Sequence, residues 1–395
     1  MGKVTVAMAS VDYHTALAVC SWVALTSMLV GCATVRREPL QPLRADTLER
    51  LDSAKAESKD GLLWYDLSAI PVEGQGWTDT AHRYDRLPAR AKGVVRDPVW
   101  DLSQHSAGLY LRFVTDSDEI SFRWSLRSSD IALNHMPATG VSGLDLYARD
   151  KGCWRWVGLA RPSHQENKER LIVGVPTELH EYLVYLPLYN GLDKISVGVK
   201  PSAVVAKTSP APKAAPIVFY GTSITHGGCA SRPGMSYPAM LGRRLERATI
   251  NLGFSGNGTM DMEIADLMAE LDPAAYVIDC VPNMTTEQVK ERTQPFVERL
   301  RKARPNTPIV LVECLEQCNA WFLPALHRGI QERNAELRAA YARLKAAGTR
   351  KLHYVTSDKL IDPKTESAVD GIHPTDYGFV QYADGLEPAL RCALK

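Results

Sequence analysis

Between residues 61 and 199 apolar and polar positions alternate with a period of two in short runs. Gly108-Leu-Tyr-Leu-Arg-Phe-Val, Glu119-Ile-Ser-Phe-Arg-Trp, Leu144-Asp-Leu-Tyr, Trp154-Arg-Trp-Val, Glu181-Tyr-Leu-Val-Tyr-Leu and Ile195-Ser-Val-Gly-Val all follow it. Gly, Pro, Asp and Asn punctuate the runs, so the pattern predicts half-buried strands of an antiparallel sandwich or jelly roll. Six of the eight Trp lie here (Trp64, Trp77, Trp100, Trp124, Trp154 and Trp156), where aromatic rings suit strand faces. From residue 216 the rhythm changes. Apolar runs at 216–220, 249–253, 276–281, 308–313 and 352–356 alternate with helical patterns over 237–247, 262–271, 286–302 and 326–347. Strands alternating with helices predict a parallel sheet covered on both faces, a three-layer, flavodoxin-like α/β domain. Ligands of such sheets bind beyond the C-terminal ends of the strands.

Composition narrows the function classes. With 395 residues, 46 Lys+Arg against 45 Asp+Glu and 45% hydrophobic residues, the chain is an ordinary globular protein of two domains. A net charge of +1 without a basic run gives no footprint for nucleic acid. The uncharged segment 15–30 is short for a membrane span and has the length of a signal-peptide core. Leu29-Val30-Gly31-Cys32 resembles a bacterial lipobox, which implies lipidation at Cys32 and an exported protein held on a membrane facing periplasm or cell surface. A plain secretory signal and a single-pass anchor are the other readings, and all three export the chain. The expected organisation is a lipoprotein-type signal peptide over 1–31, a polar tether over 32–59, a β-sandwich over 60–203, a linker over 204–215 and the α/β domain over 216–395. Pairing among Cys153, Cys229, Cys280, Cys314, Cys318 and Cys392 is not fixed by one sequence. Cys314-x-x-x-Cys318 lacks a matching Cys/His pair, so no metal is expected.

The turns after the first three α/β strands carry polar residues in an informative order. Gly221-Thr222-Ser223 places a hydroxyl just past a buried strand. Gly253-Phe254-Ser255-Gly256-Asn257-Gly258 lets a backbone N–H approach a ligand, and Pro282-Asn283-Met284 offers an amide at the next strand end. Near the C-terminus, Asp370-Gly371-Ile372-His373 spaces a carboxylate so that it can hold an imidazole in the tautomer that accepts a Ser proton. Ser255 is more simply a turn residue, no G-x-S-x-G elbow is present, and Gly256-Asn257-Gly258 lacks the Lys-Ser/Thr of a phosphate loop.

In this order the motifs resemble those of the SGNH (GDSL-like) hydrolase superfamily over residues 216–395. The resemblance implies Ser223 as nucleophile, Asp370 and His373 as its partners, and an oxyanion hole of the Ser223 and Gly253 N–H groups with the Asn283 amide. Gly143-Leu-Asp-Leu-Tyr147 is similar to the GxDLY β-domain that precedes the hydrolase in one subgroup. Two departures stand out: Thr222 replaces the name-giving Asp, and Val281 and Met284 replace the Gly and Asp that flank the block-three Asn. His226 is a candidate pocket residue or helix cap, and Asn134 and His135 either reach over the site from the β-domain or lie in a solvent loop, the simpler reading. The function implied is an exported serine esterase acting on short acyl esters, such as acetyl groups on carbohydrate, with no cofactor. A lipid-directed acylhydrolase or thioesterase and a non-catalytic glycan-binding surface protein are the alternatives. Oligomeric state is not legible.

Overall fold

The alternating runs pair into two antiparallel sheets in a computed structural model that describes residues 43, 46–208 and 214–395. The segment 15–30, Cys32 and residues 209–213 lie outside the described residues. One sheet has the order β1 (Glu57–Lys59), β2 (Leu62–Asp66), β10 (Leu192–Val199), β5 (Glu119–Leu126), β8 (Glu166–Val173). The other runs β11 (Val205–Lys207), β4 (Tyr110–Thr115), β9 (His180–Tyr185), β6 (Leu144–Asp150), β7 (Cys153–Ala160), with β3 (Val72–Glu73) also on β4. Phe113, Phe122, Trp124, Leu146, Tyr182 and Val197 fill the space between them, and Phe113 stacks on Tyr182 at 5.4 Å. The sandwich is wider than the sequence pattern indicates. β1 lies in the expected tether and β11 in the expected linker, where Val205 pairs with Thr115. Runs of three residues are too short to show a period.

The α/β region is a five-stranded parallel sheet in the order β13 (Thr249–Gly253), β12 (Ile217–Gly221), β14 (Ala275–Asp279), β15 (Ile309–Val312), β16 (Leu352–Val355). Alternate side chains face opposite layers. Ile217, Phe219, Val277 and Val310 pack against α4 (Tyr237–Leu245) and α8 (Asp376–Ala393). Val218, Tyr220, Ile278 and Leu311 pack against α5 (Met262–Glu270), α6 (Thr286–Ala303) and α7 (Pro324–Ala346). A reciprocal Thr285–Gln288 capping box starts α6. α8 is an element the sequence pattern does not announce, because Gly378, Gly385 and Pro388 interrupt it; Thr375 caps it and Phe379, Tyr382, Leu386 and Leu390 form its buried stripe. No helix among the described residues is long and apolar enough to cross a membrane.

The two regions belong to one compact unit. Trp77, Leu87, Val95 and Val99, on the segment around α1 (Asp97–Ser103), join the core formed by α5 and α6. The Asp of the GxDLY stretch is a second tie. Asp145 is fully buried and accepts hydrogen bonds from Arg232 Nη1 at 2.7 Å, Gly234 N at 2.8 Å and Trp156 Nε1 at 2.9 Å. Arg232 and Gly234 lie beyond the linker, so this carboxylate joins sandwich to α/β region. Removing one member of a buried charge pair typically costs about 3–5 kcal/mol. Asp145→Asn is therefore expected to destabilise the protein by about 3 kcal/mol or more in equilibrium urea unfolding, with both regions losing structure in one transition.

Candidate active site

β12 delivers its chain into α3 (Ser223–His226), whose N-cap Thr222 accepts a hydrogen bond from Ile224 N at 3.2 Å. The substituted block-one position is thus a capping residue, a role that Asp and Thr share. The cap sets Ser223 at the start of the helix, 6% exposed, with Oγ 2.8 Å from His373 Nε2. His373 Nδ1 lies 2.7 Å from Asp370 Oδ2. Asp370 Oδ1 also accepts from the backbone N–H groups of His373 at 2.9 Å and Ile372 at 3.2 Å. Burial pushes the Asp370 carboxyl up, but these backbone bonds and the imidazole outweigh it and leave its pKa below the usual value. An ionised Asp370 keeps the proton on Nδ1 and turns the Nε2 lone pair to the Ser223 hydroxyl. The three residues assigned to the relay from the sequence are therefore brought together in hydrogen-bonding order.

The donor side differs from expectation at one residue. In β13 the even positions turn toward β12, shown by the bond from Phe254 N to Gly221 O at 2.9 Å. Gly253 therefore turns its N–H to the outer edge of the sheet, where Asn251 Oδ1 takes it at 2.8 Å, so it is not free to meet an oxyanion. A Cβ at 253 would stand 2.2 Å from His226 N, and this close approach of β13 to α3 accounts for the glycine. Three residues on, Gly256 has a φ of +68°, and among the described residues its N–H has no partner. Gly258 N donates to Asn283 Oδ1 at 3.3 Å, which orients the Asn283 amide and leaves its Nδ2 unpaired among the described residues. The Ser223 N–H, at the first position of α3, is likewise unspent. Ser223, Gly256 and Asn283 thus each keep a donor unpaired among the described residues.

Behind Ser223, the sandwich builds the wall. His226 is fully buried rather than open to a ligand: Nε2 bonds Leu188 O at 2.7 Å and the ring stacks on Tyr189 at 4.1 Å. Burial holds its pKa well below the ordinary value, aided by Arg86 and His105. It supports α3 from beneath and is not a pocket residue. Tyr189 Oη reaches Ser223 O at 3.4 Å. Leu188 N and Tyr189 N are in turn bonded to Gly140 O and Val141 O of α2 (Ala138–Val141). The loop before α2 does reach the site. His135 lies 5.5 Å from His373 between ring centroids, and its Nδ1 is held by Asn134 Oδ1 at 2.7 Å.

Two buried ionisable groups had no sequence signal. Arg86 of the N-terminal region bonds Asn251 O at 3.0 Å and Gly253 O at 2.8 Å, and burial lowers its pKa to about 9. Asp279, at the end of β14, accepts from the hydroxyls of Tyr237 at 2.8 Å, Tyr382 at 2.9 Å and Thr225 at 3.2 Å. Complete burial outweighs these donors and raises its pKa from 3.8 to about 6. It draws α3, α4 and α8 onto one strand end.

Residues 214–391 match a model of the GDSL-like lipase/acylhydrolase family, and residues 62–205 match a model of the N-terminus of SGNH-hydrolase-type esterases. The chain is 31% identical to a crystallised Bacteroides ovatus protein described as a GDSL-like lipase; the match covers 84% of this chain and 98% of that one, with a TM-score of 0.81. A salicylyl-acyltransferase from a tetracycline biosynthetic pathway matches at 18% identity, with 86% and 93% coverage and a TM-score of 0.64. An acetyl xylan esterase from the rumen bacterium Butyrivibrio proteoclasticus matches at 14% identity, with 84% and 98% coverage and a TM-score of 0.52. The last two share the fold. No curated protein matches the sequence.

Two outcomes follow from this geometry. Asn283→Ala, which removes an aimed donor, is expected to lower kcat on an activated ester by about 10²–10³ with little change in KM. A folded-state pKa raised at Asp279 means that its stabilising contribution is full below pH 3.8 and is lost as pH rises through about 6. A tenfold difference in proton affinity between folded and unfolded chains is worth about 1.4 kcal/mol, so the loss is about 3 kcal/mol across that window. Urea unfolding from pH 4 to 7 should show this slope in the parent and a flatter one in Asp279→Asn.

Proposed function

We propose, from the premise that the chain belongs to the GDSL-like lipase/acylhydrolase family, that it is an exported, lipid-anchored serine esterase removing short acyl groups, acetyl above all, from carbohydrate. The observation that carries the catalytic part is the Ser223–His373–Asp370 chain, at 2.8 and 2.7 Å, beside three unspent hydrogen-bond donors. His373 Nε2 takes the Ser223 proton as Oγ attacks the ester carbonyl, and the developing oxyanion is met by Ser223 N–H, Gly256 N–H and the Asn283 amide. The protonated imidazole then gives its proton to the leaving alkoxide. Water, deprotonated by the same nitrogen, attacks the acyl-enzyme and frees the acid and Ser223. Every proton moves through side chains already in place, and no cofactor enters the scheme. A protein that only bound glycans would need none of this alignment.

The carbohydrate part rests on an aromatic pair beside the catalytic loop. Trp321 and Phe322 are 82% and 71% exposed, with ring centroids 5.3 Å apart. Their short helical turn is tied to the loop by a bond from Cys318 N to Gly371 O at 2.9 Å. Exposed rings at the rim of a catalytic loop suit a sugar face, whose C–H groups pack on aromatic surfaces. Leu323, Val369 and Tyr377 are also exposed, and this apolar surround favours a lipid-directed acylhydrolase as the second reading. The anchor at Cys32 is carried by its lipobox-like context alone.

Acetate release from a panel of acetylated glycans tests the proposal. The parent should release acetate and Ser223→Ala should fall by about a thousandfold or more. Trp321→Ala should lower kcat/KM roughly two- to tenfold on the polymer while leaving a small synthetic acetyl ester unaffected. A preference for long synthetic acyl chains over acetyl would favour the lipid-directed reading, and silence of the parent on every ester would overturn both.

A further inference from the structure

We propose that His135, Cys229 and His373 form an inhibitory site for Zn²⁺, in which the metal takes the lone pair of the catalytic base and stops the esterase. One ring nitrogen from each histidine and Cys229 Sγ lie within 4.8 Å of one another. Zinc bonds of about 2.0–2.3 Å in a tetrahedron place donor atoms roughly 3.5 Å apart, so modest side-chain rotation closes the site. The three residues come from the sandwich loop before α2, the loop after α3 and the loop before α8. Only the assembled protein brings them together.

The surroundings are those of a metal site. Both imidazoles have Nδ1 held by an oxygen at 2.7 Å, His135 by Asn134 Oδ1 and His373 by Asp370 Oδ2. Such outer partners fix the tautomer in which Nε2 carries the free lone pair, and they orient metal-bound histidines generally. Cys229 is buried and adopts a φ of +71°, a left-handed conformation that few non-glycine residues take, and its thiol points to His135 O at 3.3 Å. An ordinary thiol holds its proton at neutral pH until a cation displaces it. On binding, the S–H bond breaks, an S–Zn bond forms and one proton leaves to solvent. The His373 lone pair then goes to zinc instead of the Ser223 proton, and water completes the tetrahedron. Two imidazoles and a thiolate favour zinc over the hard cations Mg²⁺ and Ca²⁺.

The inhibition rests on His373 acting as base, whereas the metal site does not, so the two are measured separately. Cobalt(II) titrated into the full protein should give a thiolate-to-metal charge-transfer band that saturates at one equivalent, in the parent and in Ser223→Ala alike, and is lost in Cys229→Ser. In the activity arm, each variant is referred to its own zinc-free rate. Half-inhibition should need about tenfold more zinc or higher in Cys229→Ser and in His135→Ala, and a chelator should restore the parent. His135→Ala, on the surface, serves if the cysteine variant does not fold. Absence of the band overturns the site. Equal zinc sensitivity in parent and His135→Ala overturns the inhibition, and so does a cobalt-binding parent with no esterase activity, which leaves the metal site standing.

Discussion

A buried guanidinium joins the two halves of this molecule. Arg86 bonds four carbonyls: Asn251 O and Gly253 O on β13, and His105 O and Leu102 O in its own region. Taking a cation out of water costs several kcal/mol, and a planar fork of five donors is the side chain best suited to recover that cost from fixed oxygens. β13 is the edge of the parallel sheet. Its outward carbonyls would otherwise lack partners once the N-terminal region covers them. The arginine satisfies them and closes an edge that would invite foreign strands. It also fixes the last residues of β13, from which the turn bearing Gly256 departs.

That constraint makes the sandwich part of the candidate active site. Leu188 and Tyr189 hold α3 from below, His135, held by Asn134, reaches His373 from the side, and Asp145 grips the chain after Ser223. The sheet supplies the rest. β12 lies between β13 and β14, where the strand order reverses, and turns leaving these three neighbouring strands carry Ser223, Gly256 and Asn283. Doubly wound sheets bind ligands at such a reversal because the connecting helices diverge there. Asp279 holds that divergence together through three hydroxyls, at the expense of an ionisation displaced toward neutrality.

Much of this was legible in the sequence, for reasons of periodicity. Period-two runs announced the sandwich, and buried runs alternating with amphipathic stretches announced the parallel sheet. The order Ser223, Asn283, Asp370, His373 at strand ends announced the relay. What stayed hidden depends on which way a residue points. Gly253 ends β13 and Gly256 lies in the turn after it, and only the pairing of β13 with β12 shows that the first turns outward. His226 could have lined the pocket or capped a helix, and the partners that bury it, Leu188 and Tyr189, are distant in sequence. Arg86 carries no pattern, since its four acceptors are backbone atoms. The short strands β1 and β11 and the Gly- and Pro-interrupted α8 lacked the length or regularity to be seen.

In the proposed mechanism Ser223, and no other residue, is an activated nucleophile whose reactivity depends on His373. Treating the protein with a serine-reactive fluorophosphonate and mapping the adduct by peptide mass spectrometry tests it most directly. One adduct is expected, on Ser223, absent in His373→Ala. No adduct on the folded parent, or an adduct on Ser255, would contradict it.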